Sequence, residues 1–194
     1  QCHDLLLCYD NPYCDLTFDG YQAPSILQVP EAKEVALEFN SLSKTYHMAG
    51  WRIGMAVGNY QAIEALQRVK SNVDSGIFKP IQEAAIAALT GDQSWITERN
   101  AIYQGRRDVV MEFLPWIGMR ASSPKAGLYV WARIPEGWTS QDFTLYVLKE
   151  TGVWLTPGTA FGEHGEGYVR IALTVPEERL RTAGERLRRI KKLT

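Results

Sequence analysis

The sequence predicts an α/β protein: the remnant of a larger, mainly parallel sheet domain, one bridging helix, and a small α+β domain. Three observations carry this reading. Short apolar runs that stop at turn signals recur along the chain. Between them lie stretches whose apolar residues have helical spacing. After Pro115 the texture changes, and strands and helices become short and closely spaced.

Leu5 to Tyr9 is a continuous apolar run, as expected of a strand buried on both faces of a parallel sheet, and it ends at the turn signal Asp10-Asn11-Pro12. Val35, Leu37 and Phe39 alternate along Glu34 to Asn40, which predicts a second strand. Ser41 to Gly50 reads as a polar loop, and Arg52 to Val57 as a third strand closed by Gly58-Asn59. Asn59 is placed to cap a helix from Tyr60 to about Val73. Pro80 suits the first position of another helix, Ile81 to Leu89, which Gly91 ends. From Ser94 to Phe113 the pattern is a long amphipathic helix with Ile96, Ile102, Val109, Val110 and Phe113 on one face. Leu128 to Arg133, Val153 to Thr156 and Tyr168 to Leu173 read as strands, and Gln141 to Lys149 as a helix. A closing helix runs from Pro176 to Lys192, with Leu180, Ala183, Leu187 and Ile190 along one side. The expected division is 1–93 for the sheet domain and 94–194 for the bridging helix and small domain.

Composition excludes several classes. Hydrophobic residues make up 45% and charged residues 22%, values of an ordinary globular protein. No apolar run approaches the roughly 20 residues needed to cross a membrane. A net charge of -1 supplies no pull toward nucleic acid or acidic lipid. The basic tail from Arg186 to Lys192 reads as the solvated end of the last helix. Cys2, Cys8 and Cys14 lack metal-ligand spacing, so no metal site is expected; they read as free thiols of a cytoplasmic protein. The chain starts Gln1-Cys2-His3-Asp4 without an initiator Met and runs at once into an apolar strand. The expectation is a cut through the middle of a domain.

Four features bear on chemistry. Asp10-Asn11-Pro12-Tyr13 follows the first strand, which puts an acid at the carboxyl edge of the sheet, where open α/β folds bind ligands; alone, it is also an ordinary turn. Lys44, in Ser41-Leu42-Ser43-Lys44, is either a solvated charge or an accessible amine able to form a Schiff base. Gly50-Trp51-Arg52-Ile53-Gly54 flanks an arginine with small residues, which suits an anion gripped in bidentate fashion or a strand entry paired to a surface acid. Arg170, within Tyr168-Val169-Arg170-Ile171-Ala172, is costly in an apolar strand unless it meets an internal carboxylate or a ligand's. The glycine-rich Gly162 to Gly167 lies before a strand and not between strand and helix, so it is no dinucleotide loop; it is expected to shape the approach to Arg170.

Together, these residues resemble the class I/II, fold-type I pyridoxal-phosphate aminotransferases. Ser41 to Gly54 looks like the lysine signature of that family, and Asp10, Tyr13 and Arg170 match other expected positions in order and spacing. The segment Ser41-Leu42-Ser43-Lys44-Thr45-Tyr46-His47-Met48-Ala49-Gly50-Trp51-Arg52-Ile53-Gly54 is similar to that of LL-diaminopimelate aminotransferases, with relatives acting on alanine and glutamate sharing much of it.

The resemblance implies the C-terminal part of a fold-type I transferase, acting on amino-acid and 2-oxo-acid substrates as a homodimer. It implies that Lys44 carries pyridoxal 5'-phosphate and moves the substrate proton, and that Asp10 pairs with the ring nitrogen. Tyr13 would donate to the ring oxygen, and Ser41, Ser43 and Arg52 would hold the phosphate. Arg170 would clamp the substrate carboxylate. The family's glycine-rich phosphate loop, ring-stacking aromatic and the asparagine beside Tyr13 are expected upstream of Gln1. These 194 residues alone are therefore expected to be inactive and to self-associate. A lyase of the same fold and a non-catalytic aminotransferase-like regulator are the rival readings.

Overall fold

The computed structural model describes residues 3–190. Cys2, Lys191 and Lys192, which figure in the thiol and tail expectations, lie outside the described residues. The chain divides into two compact units, Gln1–Thr97 and Glu98–Thr194.

The first unit is built on a three-stranded sheet of β1 (Leu7–Asp10), β2 (Ala36–Ser41) and β3 (Gly54–Gly58), in that order. β1 pairs parallel to β2 with Asp10 opposite Phe39, and β3 runs antiparallel to β2 with Gly54 opposite Ser41. Glycine at both ends of β3 permits this close pairing. A Cβ on Gly54 would come within 2.7 Å of the Asn40 carbonyl oxygen, and one on Gly58 would overlap that of Ala36.

The expectation that the Leu5–Tyr9 run is buried on both faces is corrected. Leu5 is 73% and Leu7 50% exposed, and β1 is an edge strand of the described sheet. The segment read as a polar loop is also more ordered than expected. Ser41 Oγ accepts from Ser43 N (3.2 Å) and so caps a single helical turn, α1 (Leu42–Thr45); Ala49–Trp51 form a 3-10 turn.

The expected caps are present. Asn59 Oδ1 accepts from Ala62 N (2.8 Å) at the start of α2 (Tyr60–Val73), and Asn59 Nδ2 donates to Glu34 O (2.8 Å). α3 (Lys79–Thr90) has Pro80 in its first turn and Gly91 as its C-cap. Leu42, Met48 and Ala85 form a buried cluster against which Tyr46, Ile53, Ala84 and Ala88 pack.

α4 (Trp95–Phe113) buries Tyr103, Val109, Val110 and Phe113, but Ile102 is 55% exposed, contrary to expectation. Inward positions go instead to Arg99 and Arg107. Arg107 is compensated by Asp108 Oδ1 (2.7 Å) and Pro124 O (3.1 Å), Arg99 by Asn100 Oδ1 (2.8 Å).

The second unit's sheet has the order β4-β6-β5, all antiparallel: β4 (Tyr129–Arg133), β5 (Thr156–Pro157) and β6 (Tyr168–Ala172). Strand β5 is shorter and later than the expected Val153 to Thr156, since Val153 to Leu155 make no ladder pairs after Gly152 caps the preceding helix α5 (Ser140–Thr151). Val130, Ala132, Val169 and Ile171 point into the core with Phe143 and Val147 of α5. The closing helix α6 (Glu177–Leu187) ends before the expected Lys192, and its last described residues form a turn in which Ile190 N donates to Leu187 O (3.0 Å). Leu180, Gly184 and Leu187 are its buried face; a Cβ on Gly184 would meet Phe113 Cδ1 at 2.9 Å, so helix α6 lies directly on that ring.

Candidate active site

Strand pairing in the first unit gathers five of the predicted residues at one edge. Asp10 ends β1 opposite Phe39, Ser41 ends β2 opposite Gly54, and because β3 is antiparallel its entry loop carries Arg52 to the same edge. Lys44 sits on α1, immediately beyond that edge. Its Nζ lies 5.6 Å from the centre of the Tyr13 ring.

The turn that carries Tyr13 is anchored from several directions. Asn11 N donates to Phe39 O (2.9 Å), and Leu16 N to Tyr13 O (3.0 Å). Asn11 Nδ2 donates to Glu38 Oε1 (2.9 Å). That buried carboxylate also accepts from Ile26 N (3.1 Å) and from the Ser25 hydroxyl, so β2 fastens both the turn and the segment after it. Thr45 Oγ1 donates to Asp15 Oδ2 (3.0 Å), which ties the helix carrying Lys44 to the turn carrying Tyr13. Asn40 Nδ2 lies 2.9 Å from Cys14 Sγ, and burial pushes the Cys14 thiol up. Cys8 and Cys14 are both free thiols.

Arg52 occupies a left-handed conformation (φ 53°), and its Nη1 donates to Ala49 O (2.9 Å), which curls the guanidinium back over its own loop. Ser41 Oγ lies 3.5 Å from Ile53 O besides capping α1, and Ser43 contributes its backbone N–H to that cap.

Arg170 belongs to the second unit. On β6 it faces away from the core, opposite Trp131 of β4 and Thr156 of β5. Its guanidinium carbon lies 4.2 Å from the centre of the Tyr129 ring and 4.3 Å from that of Phe161. Among the described residues its side chain makes no hydrogen bond or ion pair, and its buried Nε has no partner. Leaving such a donor unsatisfied costs roughly 1–3 kcal/mol. Of the two alternatives for Arg170, an internal carboxylate is thus absent among the described residues.

Phe161 sits immediately before the glycine-rich segment. That segment folds back because Gly158 and Gly165 are in backbone contact: a Cβ on either would overlap the other's carbonyl oxygen. Sequence reasoning missed Tyr129 and Phe161, as well as Asp15, Thr45 and Glu38. None carries a local signal, since each acts on a residue well beyond its own turn or strand; only the glycines beside Phe161 hinted at a special backbone.

The fold is that of the aminotransferase class. The family described as aminotransferase class I and II matches residues 1–187, and the chain belongs to it. That family is dependent on pyridoxal phosphate. The chain is 53% identical over 188 residues to LL-diaminopimelate aminotransferase of Moorella thermoacetica, covering 97% of this chain and 48% of that protein. It is 56% identical over 178 residues to the protein of the same name from Dehalococcoides mccartyi (strain 195), covering 92% and 46%. Among solved structures, the aromatic aminotransferase of Pyrococcus horikoshii matches with a TM-score of 0.91 and 34% identity over 97% of this chain and 51% of that one. Aspartate aminotransferase of Thermus thermophilus with maleate matches with a TM-score of 0.87 and 30% identity, covering 97% and 49%. The chain thus has the fold-type I architecture and spans about half the length of the curated relatives it matches.

Proposed function

We propose that the protein containing this chain transfers an amino group between an amino acid and a 2-oxo acid, using pyridoxal phosphate. Its similarity to proteins named LL-diaminopimelate aminotransferase supports LL-diaminopimelate and 2-oxoglutarate as the substrate pair, in amino-acid biosynthesis. Residues 1–93 are then part of the larger, cofactor-binding domain, and 94–194 the bridging helix and small domain. The free thiols of Cys8 and Cys14 accord with a cytoplasmic setting. The extensive exposed apolar surface of the first unit accords with a homodimer. Neither nucleic acid nor membrane is a partner in this reading: the net charge is -1, and among the described residues no helix is long and apolar enough to cross a membrane.

The residues present fit the cofactor. One sheet edge offers a carboxylate, a phenol and an amine for the ring nitrogen, ring oxygen and aldehyde, and a hydroxyl and a guanidinium for the phosphate. When bound, pyridoxal phosphate supplies the electron sink for the substrate's α-carbon. Asp10 would pair with the ring nitrogen and keep it protonated, and the Tyr13 hydroxyl would donate a hydrogen bond to the ring oxygen. Ser41, Ser43 and Arg52 bind the phosphate, the guanidinium through paired N–H groups. Lys44 would be the attachment point and, once its amine is released, the base for the proton on the substrate's α-carbon. Arg170, unpaired and ring-flanked, binds the substrate's α-carboxylate.

The observation that carries the proposal is the placement of the Lys44 amine against the Tyr13 ring, on the edge that also holds Asp10 and Arg52. Borohydride reduction of the intact protein, followed by peptide mapping, should leave the pyridoxyl group on Lys44. A label on Lys33 or Lys70 would sink the assignment.

A further inference from the structure

The second unit holds Arg170 by an arrangement that its role in binding carboxylate does not by itself require. Two aromatic rings lie within stacking distance of the guanidinium, at 4.2 and 4.3 Å. They come from different elements. Tyr129 is in β4, two residues before Trp131, the register partner of Arg170; Phe161 is in the turn following β5. A ring contact attracts the cation without using its N–H groups. An acid in the same place would have consumed them. Phe161 also packs edge-on against Trp131 (5.8 Å between centres), and Trp131 stacks on Tyr168 (5.7 Å, 18° between planes). The rings beside Arg170 thus continue into an aromatic layer on one face of the sheet. Phe161 remains 50% exposed, so its size is not demanded by the core.

We propose that Tyr129 and Phe161 are positioning residues: they hold the Arg170 guanidinium in one orientation with its donors unspent, so that it meets the carboxylate already ordered. The inference rests on the reading of Arg170 as the carboxylate clamp. A long arginine side chain has many rotamers, and immobilising one on binding weakens affinity by about three- to tenfold. The two rings remove that loss before the substrate arrives. What matters is the aromatic face: the Tyr129 hydroxyl is dispensable, and phenylalanine or tyrosine serves at either position.

The test uses the intact, cofactor-loaded protein and maleate, an unreactive dicarboxylate, with binding measured by calorimetry. Phe161→Leu and Tyr129→Leu should each weaken maleate about three- to tenfold. They should raise KM for the amino-acid substrate by a similar factor while kcat stays within about twofold. Tyr129→Phe and Phe161→Tyr should behave like the parent. Because Phe161 is half exposed, its leucine variant should fold normally, and circular dichroism checks this. If Arg170→Lys loses maleate while both leucine variants keep parental affinity, the positioning role is refuted and the clamp stands. If Arg170→Lys keeps the parental affinity for maleate and the parental KM for the amino-acid substrate, the clamp reading falls and the inference with it. A leucine variant that lowers kcat and leaves KM and maleate affinity unchanged also overturns the proposal.

Discussion

Glu166 shows how a single surface carboxylate shapes the ground beneath Arg170. It accepts from Ser140 N (2.7 Å) at the start of α5 and from Gly167 N (3.0 Å) at the entry to β6. These bonds, that from Ser140 foremost, hold its carboxyl below the usual carboxylate range. The fully buried Ser140 hydroxyl completes the junction by accepting from Gly167 N (2.9 Å) and Tyr168 N (3.2 Å). A carboxyl whose folded-state pKa is depressed contributes stability that is present in full above its unfolded value and is lost as pH falls through the lowered one. Glu166→Ala should therefore melt below the parent near neutral pH. The gap should close on acidification past the ordinary carboxylate range, read by thermal unfolding at a series of pH values. A gap that widens toward acid would show that the carboxylate form is not what stabilises. At this scale the sequence was partly legible. Arg170 stood out because a charge in an apolar strand demands a partner, but it meets two rings, one brought by strand pairing and one by the turn after β5, which spacing along the chain does not reveal.

Helix α2 depends on its ends more than most. None of its residues is fully buried, and Leu66, Val69 and Val73 lie exposed, so tertiary packing contributes little to holding it. Its N-terminus is fixed by Asn59, whose side chain bonds both into the helix and to Glu34 O. Removing an Asn cap costs about 1 kcal/mol. Asn59→Ala should lose at least that in chemical denaturation, while Asn59→Asp, which keeps the acceptor, should recover most of it. Equal stability of parent and alanine variant would show that α2 is held by something other than its cap. Such caps were read correctly from the sequence, as were Pro80 and Gly91, because they act within one turn of backbone. Helix α4 was harder. At its inward positions Arg99 is satisfied in part by Asn100, and Arg107 by Asp108 and the Pro124 carbonyl. Hydrophobic periodicity therefore put Ile102 on the wrong face. The turn of helix after Ser41 was missed for the opposite reason: a single capped turn is too short to show a period.

For the molecule as a whole, the first unit presents Leu5, Leu7, Met55, Val57, Leu66, Val69, Val73 and Phe78 to solvent. Scattered apolar residues are normal, but a surface this rich in them favours association. The 194-residue chain by itself should sediment with a concentration-dependent mass and brighten a hydrophobic dye in its folded state. A single monomeric species without dye response would show that these side chains are screened in solution. The second unit contains the opposite extreme, a place where there is no room at all. Gly158 and Gly165 meet backbone to backbone, and neither has space for one more carbon. Any protein that preserves this fold of the turn must therefore preserve both residues together, and drift at one position cannot be repaired at the other, since the only tolerated side chain at each is a hydrogen atom. Inheritance through this turn is all or nothing.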